Sequence, residues 1–530
     1  MVDIVMCAIT FLLAIAPIFL IARYNLHMLQ LNGYVNSEHL TWINENFSKQ
    51  WLLIALCITG VVQIVATLIP VVVIGWLFVA FSFVIYRLMK EMNSKKPLHF
   101  TTRAIRILTT DYLICLVLIT VTYHILGPDS CSGVILLLVG LQFVLVPFSN
   151  TINRPAEHMV RAYYISKAKR RLRNCEGLTV IGVTGSYGKT SMKFYLQELL
   201  SSHYNVLVTP ESYNTPMGIV KTINGSLSPA HEIFICEMGA RYVGEIKEIC
   251  DIVHPDHGVI TAVGPAHLMT FGSLDNIAKT KFELADALPG DGKLFVNVDS
   301  ELVARQLVKR CDEQKLNNVI AYSATDGMPA DFSAHIENVS CDGTDFSVSH
   351  YKATTEFHTR LVGSHNVINI TGAIAVATEL GVTESEIVSN ARKIVSVPHR
   401  MELKQHGAIT IIDDAFNSNP VGSKAAVETL AMFDGMRILV TPGMVELGKD
   451  EEKYNFDFGG YAADCCDWII LVGEDHTRPI KNGALCAGFD TERIRVYNTF
   501  TEAIGFAYKI DCEGKPAFIL LENDLPDNYS

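Results

Sequence analysis

The sequence predicts an α/β chain with a multi-span α-helical membrane region, then a parallel-sheet P-loop ATPase domain and a C-terminal Rossmann-like α/β domain. Three observations predict it. Residues 1–149 are dominated by long apolar runs. The segment TVIGVTGSYGKTSMKFYLQELL, Thr179–Leu200, reads strand, glycine-rich turn, helix. Behind it, apolar runs suited to buried strands alternate with helical stretches, the pattern of parallel sheets covered by helices. The predicted divisions are 1–149, a basic juxtamembrane helix at 150–178, 179–398 and 399–530.

The apolar runs lie at about 4–22, 51–68, 71–87, 112–127 and 133–149, giving about five spans. A span needs about 20 residues. The first run meets this alone, and it lacks a small-residue cleavage site, unlike a signal peptide. The second and third meet at Pro70, and the last two, both short, flank Gly127-Pro128-Asp129-Ser130-Cys131. Basic residues fix the orientation. Arg87, Lys90, Lys95, Lys96, Arg103 and Arg106 fall between the third and fourth spans. Arg154, Arg161, Lys167, Lys169, Arg170, Arg171 and Arg173 follow the fifth. Both groups share one side if the N-terminus is outside and the C-terminus inside. The expectation is a multi-pass plasma-membrane protein with cytoplasmic catalytic domains. Residues 154–174 mix basic and apolar residues, which suits either a helix on anionic lipid or a solvated connector.

In the second half, strands are expected at 205–209, 232–237, 257–263 and 293–298. Residues 332–362 alternate around Cys341-Asp342-Gly343-Thr344, suggesting a small antiparallel insert, and a helical pair follows at 366–394. Strands at 408–413, 436–441, 468–472 and 517–521, with helices at 421–433 and 451–464, form the last domain.

Charge excludes some partners. Residues 1–174 hold 15 Lys+Arg against 7 Asp+Glu, and the remainder 28 against 48. So acidic a C-terminal portion argues against nucleic acid. The 13 cysteines show no CxxC and no metal-ligand spacing, including the adjacent Cys465 and Cys466, and read as reduced thiols.

The turn Thr184-Gly185-Ser186-Tyr187-Gly188-Lys189-Thr190 suits a phosphate. Its glycines let backbone N–H groups converge on an anion, and the helix dipole adds positive potential. Lys189 would reach the outer phosphates and the Thr190 hydroxyl a Mg²⁺ ion. Val183 stands where the usual pattern has its first glycine. Glu237 and His267 each follow an apolar strand at the end where ligands enter such sheets. Either alone would more often be structural; with the loop threonine they make a Mg²⁺ shell.

These residues and seven further motifs resemble the Mur ligase family of ATP-dependent amide ligases. TGSYGKTS, EMGARYVGEI, GPAHLMTFGS, AKTKFEL, NVD, GSHNVIN, HRME and DDAFNSNP stand in that family's order over about 179–450. The variant forms, GMVELG included, look most like the branch that adds D-alanyl-D-alanine to a UDP-muramoyl tripeptide. The resemblance implies that ATP lies on Gly185, Ser186, Gly188, Lys189, Thr190 and Ser191. It implies Mg²⁺ on Thr190, Glu237, His267 and a carbamylated Lys281, with Lys189, Glu237, His267, Lys281 and Arg400 catalytic. Asn297, Asn366 and Asn369 would contact the nucleotide, and Arg400, Asp414 and Asn417 would close over it from the second domain. Glu446-Leu447-Gly448 matches a segment near the incoming amine. The implied chemistry is an acyl phosphate formed from a substrate carboxylate, then attacked by an amine.

Two departures bear on substrate. Only about 30 residues separate the last span from the first strand, too few for the family's UDP-binding domain. The end LLENDLPDNYS, with Glu522, Asp524 and Asp527, replaces a Lys-Gly-Ser-type strand end. The leading expectation is therefore a membrane-anchored ligase of cell-envelope synthesis. Its partners would be membrane lipid, a lipid-linked or polymeric acceptor, and an amino acid or dipeptide donor. The alternatives are a D-alanyl-D-alanine-adding peptidoglycan ligase, a poly-amino-acid capsule synthetase and an inactive scaffold. A transporter is disfavoured by how few ionisable residues the spans contain.

Overall fold

The computed structural model describes residues 18–46, 51–66, 97–127, 130–210, 213–312, 318–340, 342–351, 353–415, 419–445 and 447–523. It divides near residue 162 into two units. The expected spans at 71–87 and, for the most part, 4–22 lie outside the described residues, as do Arg87, Lys90, Lys95 and Lys96.

The first unit is helical: 18–31, Asn36–Glu45, Trp51–Ala66, Thr102–Leu126, Cys131–Gly140 and the start of Gln142–Arg173. Among the described residues one helix, Thr102–Leu126, is long and apolar enough to cross a membrane. A second qualifies if Gly133–Gly140 and Gln142–Arg173, bent by 73°, count as one span. A core helix of a soluble protein passes the same test, so five spans are not established. The run 112–127 is longer than its apolar core suggests, because Thr101 caps the helix through the Ala104 N–H at 3.2 Å. Arg103 and Arg106 therefore lie on that helix and not in a loop. Arg103 donates to Asn150 Oδ1 at 3.2 Å and Arg106 pairs with Glu157 at 2.7 Å.

Small residues set a close helix contact in this unit. A Cβ on Gly133 would sit 2.9 Å from the Gly60 carbonyl oxygen, and one on Gly140 2.6 Å from Cys57 Sγ. The seven-residue spacing puts both glycines on the face turned to Trp51–Ala66, so the two backbones approach closely.

The expected juxtamembrane helix does not start at 150, because Gln142–Arg173 is one helix. Its last turns pack as a connector. Ala168 is fully buried with Ile165 and Leu172 beside it, and Arg171 donates to the Asn224 and Leu227 carbonyls, both at 2.6 Å. This satisfies acceptors that a helix C-terminus leaves open at Pro216–Ser226.

The second unit holds two sheets. Strands β1 (Thr179–Thr184), β2 (Val206–Val208), β3 (Ile233–Glu237), β4 (His257–Ile260), β5 (Leu294–Asn297), β6 (Val319–Ser323), β7 (Phe332–Ser340), β8 (Gly343–His350) and β9 (Ala353–Thr359) form the first, ordered β2-β3-β1-β4-β5-β6-β7-β8-β9. The alternating segment 332–362 is thus no separate sheet. Tyr322 and Ser323 pair in parallel with Phe332 and Ser333, and the antiparallel strands extend the main sheet. Helices Lys189–Leu200 and Ser364–Glu379 pack together over it, burying Met192, Leu196, Ile370 and Ile374.

The second sheet contains β10 (Glu402–His406), β11 (Ile409–Asp414), β12 (Met436–Thr441), β13 (Trp468–Val472), β14 (Ile494–Tyr497) and β15 (Ala517–Glu522), ordered β10-β11-β15-β12-β13-β14. All pairs are parallel except β10 with β11. The last strand inserts at the centre, so the carboxyl ends of β11, β15 and β12 adjoin, a switch-point arrangement where such folds bind ligands.

The glycine contact is testable. Gly140→Leu should destabilise the helical unit by about 1–3 kcal/mol through overpacking. It should also raise the maleimide reactivity of Cys57 in the intact, detergent-solubilised chain. Unchanged labelling and melting would show that the seam does not hold the helices.

Candidate functional site

The site grows from the carboxyl ends of β1 and β3. Strand β1 is buried for nearly its whole length, and its chain turns at Gly185–Gly188 into helix Lys189–Leu200. Two glycines are obligatory here. A Cβ on Gly185 would collide with the Thr261 hydroxyl. Gly188 has φ of 76°, and a Cβ there would lie 2.7 Å from Asn369 Oδ1. The Ala262 carbonyl oxygen accepts from the Ser186 and Tyr187 N–H groups at 2.7 and 3.3 Å, pinning the loop to the strand-end turn after β4. The first-turn N–H groups of the following helix, which have no intrahelical acceptors, are left for an anion.

Lys189 folds back over this turn, donating to the Gly185 and Ser186 carbonyls at 2.7 and 3.0 Å. Burial lowers its pKa to about 8, against the pull of Glu237 and with the push of Arg400. A phosphate would replace carbonyl dipoles with full negative charge and hold the lysine protonated.

Glu237 is the hub. It is 1% exposed at the end of β3. Its Oε1 accepts from Thr190 Oγ1 and Asn214 Nδ2, both at 3.1 Å, and its Oε2 from Lys193 Nζ at 2.9 Å. Burial alone would raise its pKa, but Lys193 and Lys189 outweigh that and hold it below the ordinary glutamate range. Lys193 is fully buried. Sequence reasoning missed it, although it stands four residues after Lys189 and so on the same helix face. Asn214 was also missed, and nothing in its sequence context marks it.

Arg400 reaches the same cluster, with Nη2 3.4 Å from Thr190 Oγ1. It lies on the connection before β10 and not within the second sheet. His399 and Met401 on either side have φ of 61° and 49°, left-handed conformations uncommon for such side chains. They are held by His399 Nδ1 to Asp413 Oδ2 at 2.8 Å and by the Met401 N–H to Asp414 Oδ1 at 3.2 Å. His399, Glu402 and Asp413 converge like metal ligands. However, Lys404 Nζ already lies 2.6 Å from Asp413 and 3.1 Å from Glu402, supplying the positive charge. Asp414 is pushed up to about 6 by burial, which the Met401 N–H and Arg400 only partly oppose.

Lys281 is 3% exposed, with the Phe271 ring centroid 5.8 Å from its Nζ. Burial, then the charge of Lys189, lowers its pKa to about 7. His267 takes φ of 53° at the turn before Leu268–Phe271, and its carbonyl accepts from Thr270 Oγ1 at 3.0 Å.

The other expected residues divide. Asn369 lies against Gly188, with its Nδ2 bound to the His365 carbonyl at 2.9 Å. Asn366 is engaged inside the fold, accepting from Tyr195 OH at 2.7 Å and donating to the Val362 carbonyl at 2.8 Å. Ser191 is buried in the first helical turn, and Ser186 Oγ donates to the Gly264 carbonyl at 3.0 Å. Asn297 accepts from the Asp299 N–H at 3.0 Å at the end of β5. Asn417, Glu446, Asp524 and Asp527 lie outside the described residues. Leu447 is buried in the second domain's core. Glu522 is 1% exposed and accepts from Thr441 Oγ1 at 3.1 Å across β15 and β12.

The donor set fits the expected groups. A glycine cradle, a lysine and a helix N-terminus suit a polyphosphate, and the Thr190 hydroxyl beside the Glu237 carboxylate offers the hard oxygens Mg²⁺ prefers.

Comparison with known proteins agrees. The Mur ligase middle domain matches residues 183–377, and the Mur ligase glutamate ligase domain matches 399–521. UDP-N-acetylmuramoyl-tripeptide–D-alanyl-D-alanine ligase of Bacillus subtilis is 30% identical over 325 residues, 61% of this chain and 68% of that protein. Its namesake in Escherichia coli is 29% identical over 306 residues, 56% of this chain and 64% of that one. The chain thus spans about two thirds of the length of these relatives. The crystal structure of MurF from Acinetobacter baumannii superposes with a TM-score of 0.62 at 25% identity, covering 70% of this chain and 78% of that one. With both domains matched in order and the phosphate loop, Glu237 and Arg400 assembled at one place, the chain belongs to the Mur ligase family of ATP-dependent ligases.

Proposed function

We propose that this chain joins a carboxylate to an amine at the expense of ATP, in the manner of the D-alanyl-D-alanine-adding ligases it resembles. The observation that carries the reading is the convergence of Lys189, Thr190, Glu237 and Arg400 on one phosphate-loop turn. The relatives' names favour a UDP-muramoyl peptide acceptor and a D-alanyl-D-alanine donor over the broader envelope reading that the apolar N-terminal half suggests.

In this reading a carboxylate oxygen of the acceptor attacks the γ-phosphorus, the bond to the β-phosphate oxygen breaks and ADP leaves. The donor's amine nitrogen then attacks the acyl carbon, loses a proton, and phosphate departs as the amide forms. Lys189 and the helix N-terminus hold the phosphates. Arg400 faces the charge that spreads over the transferred group, and Asp414 supplies a hydrogen-bond acceptor for the ribose. Thr190, Glu237, His267 and Lys281 would hold Mg²⁺, which when bound neutralises phosphate charge. Neutral Lys281 takes up carbon dioxide, forming an N–C bond and releasing one proton, so that an anionic oxygen replaces an ammonium. Asn369, which lies against Gly188, would contact the nucleotide, whereas Asn366 is bonded to Tyr195 inside the fold.

The second reading keeps the chemistry and changes the acceptor. The described residues from 18 to 173 are almost entirely helical and lead into β1 without a soluble domain of their own. We infer from this, and from the basic flanks, a multi-pass anchor with the ligase unit cytoplasmic and an acceptor presented on a lipid or polymer. ADP release by the solubilised full chain, with UDP-muramoyl tripeptide and D-alanyl-D-alanine, decides between them. Robust turnover supports the soluble acceptor. Turnover only with a lipid-linked peptide supports the second reading, and none with any acid–amine pair defeats both. Carbon dioxide depletion should lower turnover and bicarbonate restore it.

Lys193→Met should destabilise the ligase unit by about 3–5 kcal/mol, since it strands a buried carboxylate. Pairing it with Glu237→Gln should recover much of that loss in urea unfolding while turnover stays abolished.

Asp414 carries a pH signature. Its folded pKa, about 6, exceeds the unfolded value of about 3.9, so its protonated form stabilises the fold at low pH. That stability is lost as pH rises through 6. Asp414→Asn should therefore match the parent near pH 4 and exceed it above pH 6 by on the order of 3 kcal/mol. Denaturant midpoints across this range test the sign, and nucleotide affinity should fall in the same variant.

A further inference from the structure

The helical unit carries polar side chains that the ligase reading does not use. Asn25, Asp111 and Gln142 are all fully buried. Asp111 Oδ1 and Oδ2, Gln142 Oε1 and Asn25 Oδ1 have no hydrogen-bond partner among the described residues. Their donor ends are used. Asn25 Nδ2 donates to the Ile21 carbonyl at 3.0 Å, and Gln142 Nε2 to the Leu138 carbonyl at 3.2 Å. What is left over is a set of acceptor oxygens.

These residues stand on three helices that share two apolar clusters. Gln142 approaches Asp111 without reaching hydrogen-bond geometry. Ile21, Cys115 and Leu138 share one apolar cluster, while Ala22, Leu26, Ile107, Leu108 and Val146 share the next. Asn25 stands one turn from Ile21, Asp111 between Leu108 and Cys115, and Gln142 between Leu138 and Val146. Among the described residues, the unit's other unpartnered polar atoms belong to Arg103, His39 and Ser149. Arg103 is eight residues before Asp111, about 12 Å of helix rise, with its guanidinium on Asn150 and the Tyr34 ring. His39 stacks on Trp42, and Ser149 is two turns beyond Gln142.

Buried acceptors without donors cost free energy unless a positive group meets them. A phosphate headgroup would meet only more negative potential here. A single proton on Asp111 supplies one donor for four oxygens. One carboxylate with two amide oxygens balances one positive charge, whereas a divalent ion would call for further carboxylates. Ionisable residues inside apolar helix bundles commonly mark ion sites.

We propose that Asp111, Asn25 and Gln142 form a binding site for one monovalent alkali cation within the helical unit. The proposal does not depend on the ligase reading. Its test is scintillation-proximity binding of radiolabelled sodium and rubidium to the detergent-solubilised full chain. The expected result is saturable binding of one of the two, lost in Asp111→Asn and roughly tenfold or more weaker in Gln142→Leu. Should Asp111→Asn fail to fold, Gln142→Leu and Asn25→Leu carry the test. No saturable binding to the parent chain, or binding unchanged in these variants, overturns the proposal in favour of a protonated Asp111 with water.

Discussion

The ligase half depends on keeping one carboxylate charged where there is no bulk water. Glu237 sits at the end of a buried strand, and its desolvation would by itself neutralise it. Lys193, Thr190 and Asn214 prevent that, from two places in the chain. Two lie on the helix after the phosphate loop and one before helix Pro216–Ser226. The carboxylate therefore fixes the first turn of the loop helix against the neighbouring strand. A buried ion pair of this kind is weak evidence for net stability, yet removing one partner leaves the other uncompensated. The loop glycines, Lys189 and Arg400 all take their positions relative to that fixed turn.

Much of this could be read from residues alone, for identifiable reasons. Strand, glycine turn and helix are local signals, and a Glu following IFIC sits at a strand's end because period and length put it there. Lys193 was hidden because a lysine on a helix is usually solvated, and only the fold shows it buried against Glu237 at the end of β3. The antiparallel segment 332–362 was visible as strands but not as part of the main sheet, since joining it depends on a two-residue parallel pairing. Arg400 was foreseen as an ordered motif, yet the left-handed residues flanking it carry no composition cue, as neither is glycine or asparagine.

The apolar half tells a different story. Hydropathy counts residues that dislike water and is blind to where a helix stops. It lengthened neither the run that Thr101 caps nor the connector that Arg171 and Ala168 fasten to the ligase unit. Nor does it register that Gly60, Gly133 and Gly140 bring two short helices together, because a glycine contributes little to the sum.

The paired left-handed residues around Arg400 have a mechanical consequence. A guanidinium on a relaxed linker would sample many directions, and its arrival at the phosphates would be independent of how the second domain is oriented. Here its direction is written into two backbone dihedrals, each tied by a hydrogen bond to the end of β11. The position of that strand end and the direction of the positive charge are consequently coupled. Any shift at the end of β11 would therefore be felt as a change of electrostatic field at Thr190.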